Sequence, residues 1–300
     1  MRKAYRFLAA ALSLVLCTGL QSCHNEKISS GYPILFRCAD VTRAEATIKD
    51  LQDNGFDVNA FFTANGSEFG FTKSLSYDNV SGIWGYNDIE YWLPGATYYF
   101  KALYPTNAGT IDNSTSAQSL TISNFDVTSQ TDLLVAQTGA IDVDASIGSP
   151  TGGSVVNLQF KHLLANVVVK IKAEINVTIQ DISLKFVPVK CNYADGRWEQ
   201  NTQGNIEKSG VNVALSKGGD YEDVTNGGFL VIPQTTNGDQ LLYIRTLDNK
   251  TYEIPIPTIT WAAGTKYIYT LTIKQSNILF NEPTVEIWDE ENATGSVVIK

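Results

Sequence analysis

The residues able to do chemistry are few. The chain has two histidines, four cysteines and one methionine among 300 residues. His24 lies in a polar stretch, and His162 sits among apolar neighbours in Phe160-Lys161-His162-Leu163-Leu164, where a buried, satisfied imidazole is the expectation. No Cys-x-x-Cys pair or Cys/His cluster has zinc spacing. No Gly-x-Ser-x-Gly, His-Glu-x-x-His or phosphate-loop pattern occurs. Asp142-Val143-Asp144 and Asp289-Glu290-Glu291 could attract calcium, but they lack the spacing and glycine of an EF-hand loop and read as solvated loop charge. Carboxylate pairs for glycoside hydrolysis meet only in space, and nothing here singles one out. Trp84, Tyr86, Tyr91 and Trp92 cluster around a glycine-containing stretch. Their rings could stack on a sugar, with Trp84 and Trp92 as the candidate ligand platform, although core packing is the preferred reading. The expectation is no catalytic residue, no metal ligand, no cofactor and no enzymatic activity.

The composition agrees with that poverty. Hydrophobic residues make up 43% of the chain and charged residues 18%, which excludes a polytopic membrane protein and global disorder. Lys+Arg number 22 against 31 Asp+Glu, a net charge of −9, so nucleic acid is not an expected partner. Fourteen Tyr and thirteen Phe, with abundant Thr, Val and Ile, favour pleated surfaces.

The N-terminus reads as an address. Arg2, Lys3 and Arg6 precede a mainly apolar stretch from Phe7 to Leu20, too short to span a bilayer. Leu20-Gln21-Ser22-Cys23 follows, the pattern of a bacterial lipoprotein cleavage site. Residues 1–22 are therefore the expected signal peptide, Cys23 the acylated residue, and 23–30 a polar tether. Loss of 1–22 removes three basic residues and no acid, leaving 19 against 31, a net −12. Cys17 leaves with the signal, so Cys38 and Cys191 remain; a disulfide between them and two separately buried thiols are both open.

The remainder alternates with period two. Phe56, Val58, Ala60 and Phe62 share one face; so do Tyr98, Phe100, Ala102 and Tyr104; so do Val167, Val169, Ile171 and Ala173; so do Ile182, Leu184 and Phe186; so do Tyr267, Tyr269, Leu271 and Ile273. One apolar face per strand predicts an all-β chain of packed sandwiches. One helical turn is expected near Thr47–Leu51, stopped by Asn54-Gly55. The Gly/Ser/Pro-rich stretch Ile147–Ser154 is the best linker, dividing the chain into an N-terminal β-sandwich at 31–148 and a C-terminal one at 154–300.

Several stretches then match one family in order: Tyr32–Cys38 followed by Thr42-Arg43-Ala44, Phe56–Ala60, Tyr99–Pro105, Asp132–Ala136, Leu158–Val167, Phe229–Gln234, Trp261–Tyr267 and Ile287-Trp288. The chain resembles the fimbrillin family of Bacteroidales, the FimA/Mfa-like lipoprotein subunits of type V pili. The resemblance implies two tandem transthyretin-like β-sandwich domains. It implies an outer-membrane lipoprotein that reaches the surface as a fimbrial subunit and contributes to adhesion, with other fimbrial subunits as partners and a host or glycan molecule as a candidate ligand. It also implies proteolytic processing between Arg43 and Ala44, loss of the first strand, and filling of the resulting groove by a neighbour's terminal strand. Val285 and Ile287, then Val297, Val298 and Ile299, are the donor-strand candidates. An unprocessed tip or anchor subunit is the alternative within the same family, and a monomeric ligand-binding lipoprotein the alternative outside it.

Overall fold

A computed structural model describes residues 31–38, 45–275, 278–281 and 283–288. Cys23, Arg43, Ala44, Val297, Val298 and Ile299 lie outside the described residues. The chain is all-β with one α-helix and one short 3₁₀ turn among the described residues. It opens with β1 (Leu35–Cys38), α1 (Glu45–Asn54), β2 (Phe56–Ala64), β3 (Ser67–Asp78), β4 (Ile83–Gly85) and β5 (Thr97–Tyr104).

The helix is longer than the single turn expected, and its stop is the one the sequence predicts. Gly55 takes φ +72 and donates its N–H to Leu51 O at 2.8 Å, closing the last turn. A Cβ at Gly55 would stand 2.2 Å from Leu75 O, so both the left-handed backbone and the close approach of β3 require glycine. Leu51 is fully buried beneath the helix and Ile48 packs beside it against the first core.

Three larger sheets carry the fold. The first runs Val155–Leu158, β1, β4, β3, β2, β5, Leu134–Gln137, Lys161–His162. The second centres on Ala165–Ala173 and Thr265–Ile273, parallel over eight residue pairs from Asn166–Lys266 to Ala173–Ile273. The third is built on the long hairpin Val177–Ala194 and Arg197–Leu215, with Leu241–Thr246 and Leu120–Asp126 on its other side. The predicted inward faces are buried at Phe56, Val58 and Ala60, at Tyr98, Phe100, Ala102 and Tyr104, and along Val167–Ala173 and Tyr267–Ile273. Phe186 departs from its predicted face. A bulge between Leu184 and Val187 puts it at φ +60 and half-exposed, while Ile182 and Leu184 stay buried.

The buried side chains form two cores. One gathers Ile34, Phe36, Phe56, Trp84, Trp92, Tyr98, Phe100, Leu158 and Phe160. The other gathers Leu103, Leu120, Ile122, Leu133, Val167, Cys191, Trp261 and Tyr269. Both draw on both sides of the glycine-rich 147–154 stretch. Leu120 and Ile122 pack with the C-terminal core, whereas Val156, Leu158 and Phe160 pack with the N-terminal one. β5 faces both: Tyr98, Phe100, Ala102 and Tyr104 point to one core and Leu103 to the other. Lys101, also inward, is buried with its ammonium on the carbonyls of Ala117 and Gln118, and burial lowers its pKa.

Candidate strand-exchange site

β1 is an interior strand of its sheet. On one side it pairs in parallel with Val155–Leu158, from Leu35–Val155 to Cys38–Leu158. On the other it meets β4 antiparallel, Phe36 opposite Trp84. The approach to β1 is held the same way. Ile34 N–H donates to Glu90 O at 2.9 Å, Trp92 N–H to Tyr32 O at 2.9 Å, and Tyr86 Oη to Ile34 O at 2.7 Å. An interior strand leaves unpaired N–H and C=O groups on both flanks when it departs, an open template for another strand.

Its side chains alternate as the pleat demands. Ile34 and Phe36 are buried, Leu35 and Arg37 exposed, and Cys38 intermediate. Phe36 meets Tyr86 and Phe100 edge-on, at centroid distances of 5.7 and 5.6 Å. Burying Ile34 and Phe36 contributes about 1.5–3 kcal/mol each. At the Cys38 end, Ile48, Leu51, Tyr77, Trp84 and Val155 help line a cleft of about 380 Å³. Burial pushes the Cys38 thiol up to about 12. Cys38 packs with the first core and Cys191 with the second, and no disulfide joins them.

The aromatic pair considered as a ligand platform forms the walls of this slot instead. Trp84 is 7% exposed, packed at 4.7 Å on Phe56 and 5.0 Å on Tyr77. Trp92 is 2% exposed, edge-on to Tyr98 at 4.9 Å, with Nε1–H donating to Ser154 O at 3.1 Å. Neither ring offers a face for a sugar, and both take the core packing that is the preferred reading of the sequence; the apolar demand of the first core took both.

Of the C-terminal candidates, Val285 and Ile287 sit in Thr284–Ile287, antiparallel to Thr265–Ile273 of the same chain, with Tyr267 opposite Val285 and Thr265 opposite Ile287. Trp288 continues this docking. Its N–H donates to Gly264 O at 2.8 Å and its ring stacks on His162 at 3.6 Å, 7° from parallel. His162 is buried, with Nδ1 2.6 Å from Asp132 Oδ2. The imidazole thus ties Asp132 to the C-terminal strand, the structural role expected of it.

Of the acidic candidates, Asp289, Glu290 and Glu291 lie outside the described residues, Asp142 bonds across a strand pair and Asp144 serves a local turn. Asp142 accepts from the Thr97 hydroxyl at 2.7 Å, and the Asp144 carboxylate accepts from Ser146 and Ile147 N–H at 2.7 and 2.9 Å. No cluster of three or more His, Cys, Asp or Glu among the described residues could hold a metal. A polar cleft of about 920 Å³ beside Trp288 is lined by groups with internal work. Asp132 holds His162, and Lys208 donates to the Thr225 and Gly228 carbonyls. Gln130 exchanges two hydrogen bonds with the Leu230 backbone. Asp50, at its rim, has its pKa raised by burial and by the neighbouring carboxylates of Asp132 and Asp53.

Sequence reading missed two walls of the slot. Val155–Leu158 was placed on the far side of the linker, although its run Val-Val-Asn-Leu has strand character. The Glu90–Trp92 backbone carries no local signal of its role, because Tyr91 pairs with Pro33 through a single isolated bridge.

A fimbrillin-like family model matches residues 42–288. No curated protein sequence matches the chain. A fimbrial protein from Bacteroides vulgatus superposes with a TM-score of 0.62 at 20% identity, covering 85% of this chain and 99% of its own. A candidate cell adhesion protein from Bacteroides uniformis gives 0.56 at 16% identity, with 86% and 99% covered. Another from Bacteroides ovatus gives 0.54 at 15% identity, with 87% and 99% covered. At these identities the superpositions establish a shared fold. The family match spans most of the sequence, first slot wall to docked C-terminal strand, and the chain belongs to the fimbrillin-like family.

Proposed function

We propose that this chain is a structural, non-enzymatic subunit of a cell-surface fimbria, joined to other fimbrial subunits by strand exchange and contributing to adhesion. In this reading it travels to the outer membrane as a lipoprotein acylated on Cys23. A protease then cuts between Arg43 and Ala44, the segment carrying β1 departs, and a neighbour's strand takes its place.

The observation that supports this most is the position of β1, flanked by Val155–Leu158 and β4 with Ile34 and Phe36 plugged into the core. Its departure would open an apolar slot with two unpaired flanks. Thr284–Ile287 is committed to its own second sheet, so the donor in this reading is the terminal segment with Val297 and Ile299 inward and Val298 outward. That alternation reproduces Ile34 and Phe36 around Leu35.

Purified chain from residue 24 onward, treated with trypsin, tests the reading by mass spectrometry and electron microscopy. Loss of residues up to Arg43 and growth of filaments are expected. Arg43→Ala should block both, and deletion of 296–300 should allow cleavage without filaments. Filaments from chain that retains β1 would overturn it.

A further inference from the structure

We propose that the outward face of the β1–β4 region is a membrane-seating surface that rests on the lipid bilayer while the subunit is still tethered. The clause about the tether rests on acylation of Cys23; the face itself does not. Six of the thirteen exposed large apolar side chains among the described residues lie on two adjoining segments: Tyr32, Leu35, Ile83, Ile89, Tyr91 and Leu93.

Strand geometry puts most of them on one side. Ile89, Tyr91 and Leu93 are 54, 51 and 43% exposed, whereas Trp92 between them is buried. Tyr91 pairs with Pro33, two residues before exposed Leu35 on the same strand face. The register of Phe36 with Trp84 sets Leu35 beside Gly85 and Arg37 beside Ile83, which is 55% exposed. The Tyr91 ring covers Gly31, since a Cβ there would meet it at 3.3 Å. The stripe therefore begins where the chain enters the fold.

Three features favour lipid as the occupant. Seven residues, 24–30, lie between Cys23 and Gly31, so a fully extended tether of eight Cα steps reaches at most about 28 Å. A surface held that close meets the bilayer at high effective concentration. Tyrosine, leucine and isoleucine in a band are side chains that favour the headgroup boundary. Of the acids at the stripe, Glu90 is paired with Lys73 at 2.8 Å, exposed Asp88 and Asp78 lie at its edge, Asp78 opposite Ile83, and Arg37 offers a cation on the same outward face.

Hydroxyl-radical footprinting on vesicles of phosphatidylethanolamine and phosphatidylglycerol tests the proposal in two arms. One uses the acylated full-length product isolated from membranes. The other uses chain from residue 24 with an N-terminal hexahistidine bound to nickel-chelating lipid, which supplies a tether without Cys23. In both arms Tyr91, Leu93 and Ile89 should be labelled at least roughly threefold more slowly than in detergent or free solution, with Phe186 and Leu247 unchanged. Tyr91→Ser with Leu93→Ser, checked for an unaltered fold by circular dichroism, should abolish protection at Ile89. Protection in the histidine arm, with no acyl group on the isolated chain, would uphold the face and sink the Cys23 reading. Equal labelling of both residue sets on vesicles would overturn the face. So would protection that appears without vesicles as protein concentration rises, which would assign the stripe to a second copy of the chain.

Discussion

Phe36 stands opposite Trp84 across β1 and β4, and both rings are buried in the same core. The two side chains thus form one cross-strand pair, and in the proposed exchange Phe36 would leave while Trp84 stays. Phe36→Ala should destabilise the uncleaved chain by about 3–5 kcal/mol, because a large ring is lost from a packed slot. Leu35→Ala, one residue away and outward, should cost no more than about 0.5 kcal/mol. Denaturant unfolding of the two variants checks the contrast, and equal losses would mean that β1 is not plugged as described.

Cys38 gives a pH signature. Its thiol is pushed up to about 12 from the ordinary 9.0 by burial, so the folded chain disfavours the thiolate. The unfolded chain ionises first. Stability should therefore be unaffected by this group below 9.0 and fall as pH rises from there towards 12. Cys38→Ala should flatten that slope in unfolding curves collected across the alkaline range.

Gly55 closes α1 at φ +72, with Leu75 O where a Cβ would go. Gly55→Ala should lower stability by more than about 1 kcal/mol, whereas the same change at Gly139, which has open space and no left-handed φ, should be nearly neutral. Thermal unfolding of both variants separates the two effects.

The stacked pair His162 and Trp288 pins the last described strand. Trp288→Ala should release Thr284–Ile287, read as amide exchange faster by roughly tenfold or more at 284–287 and at the facing 265–268 amides. Unchanged exchange there would show that the Tyr267–Val285 ladder holds without the stack.

Legibility followed the range of the interaction. The inward faces of 98–104, 167–173 and 267–273 were plain, since period-two burial is a property of consecutive residues. The αL stop at Gly55 was plain for the same reason. Phe186 was misplaced because a bulge adds a residue without any marker in Leu184–Val187. For Trp84 and Trp92 the sequence favours core packing yet leaves a binding platform open, because a cluster of aromatics reads alike whether it faces solvent or core; only the sheet order, with β1 between 155–158 and β4, decides it. The parallel partner of β1 lies more than a hundred residues away, and no local pattern announces such a pairing.

The central claim is that the β1 segment is removed and replaced in the assembled fimbria. The most direct measurement is the intact mass of subunits released from filaments sheared off the cell surface. A chain running from Ala44 to the C-terminus, with no acyl mass, is the predicted result. A filament subunit that still carries residues 23–43 and its lipid would contradict the account.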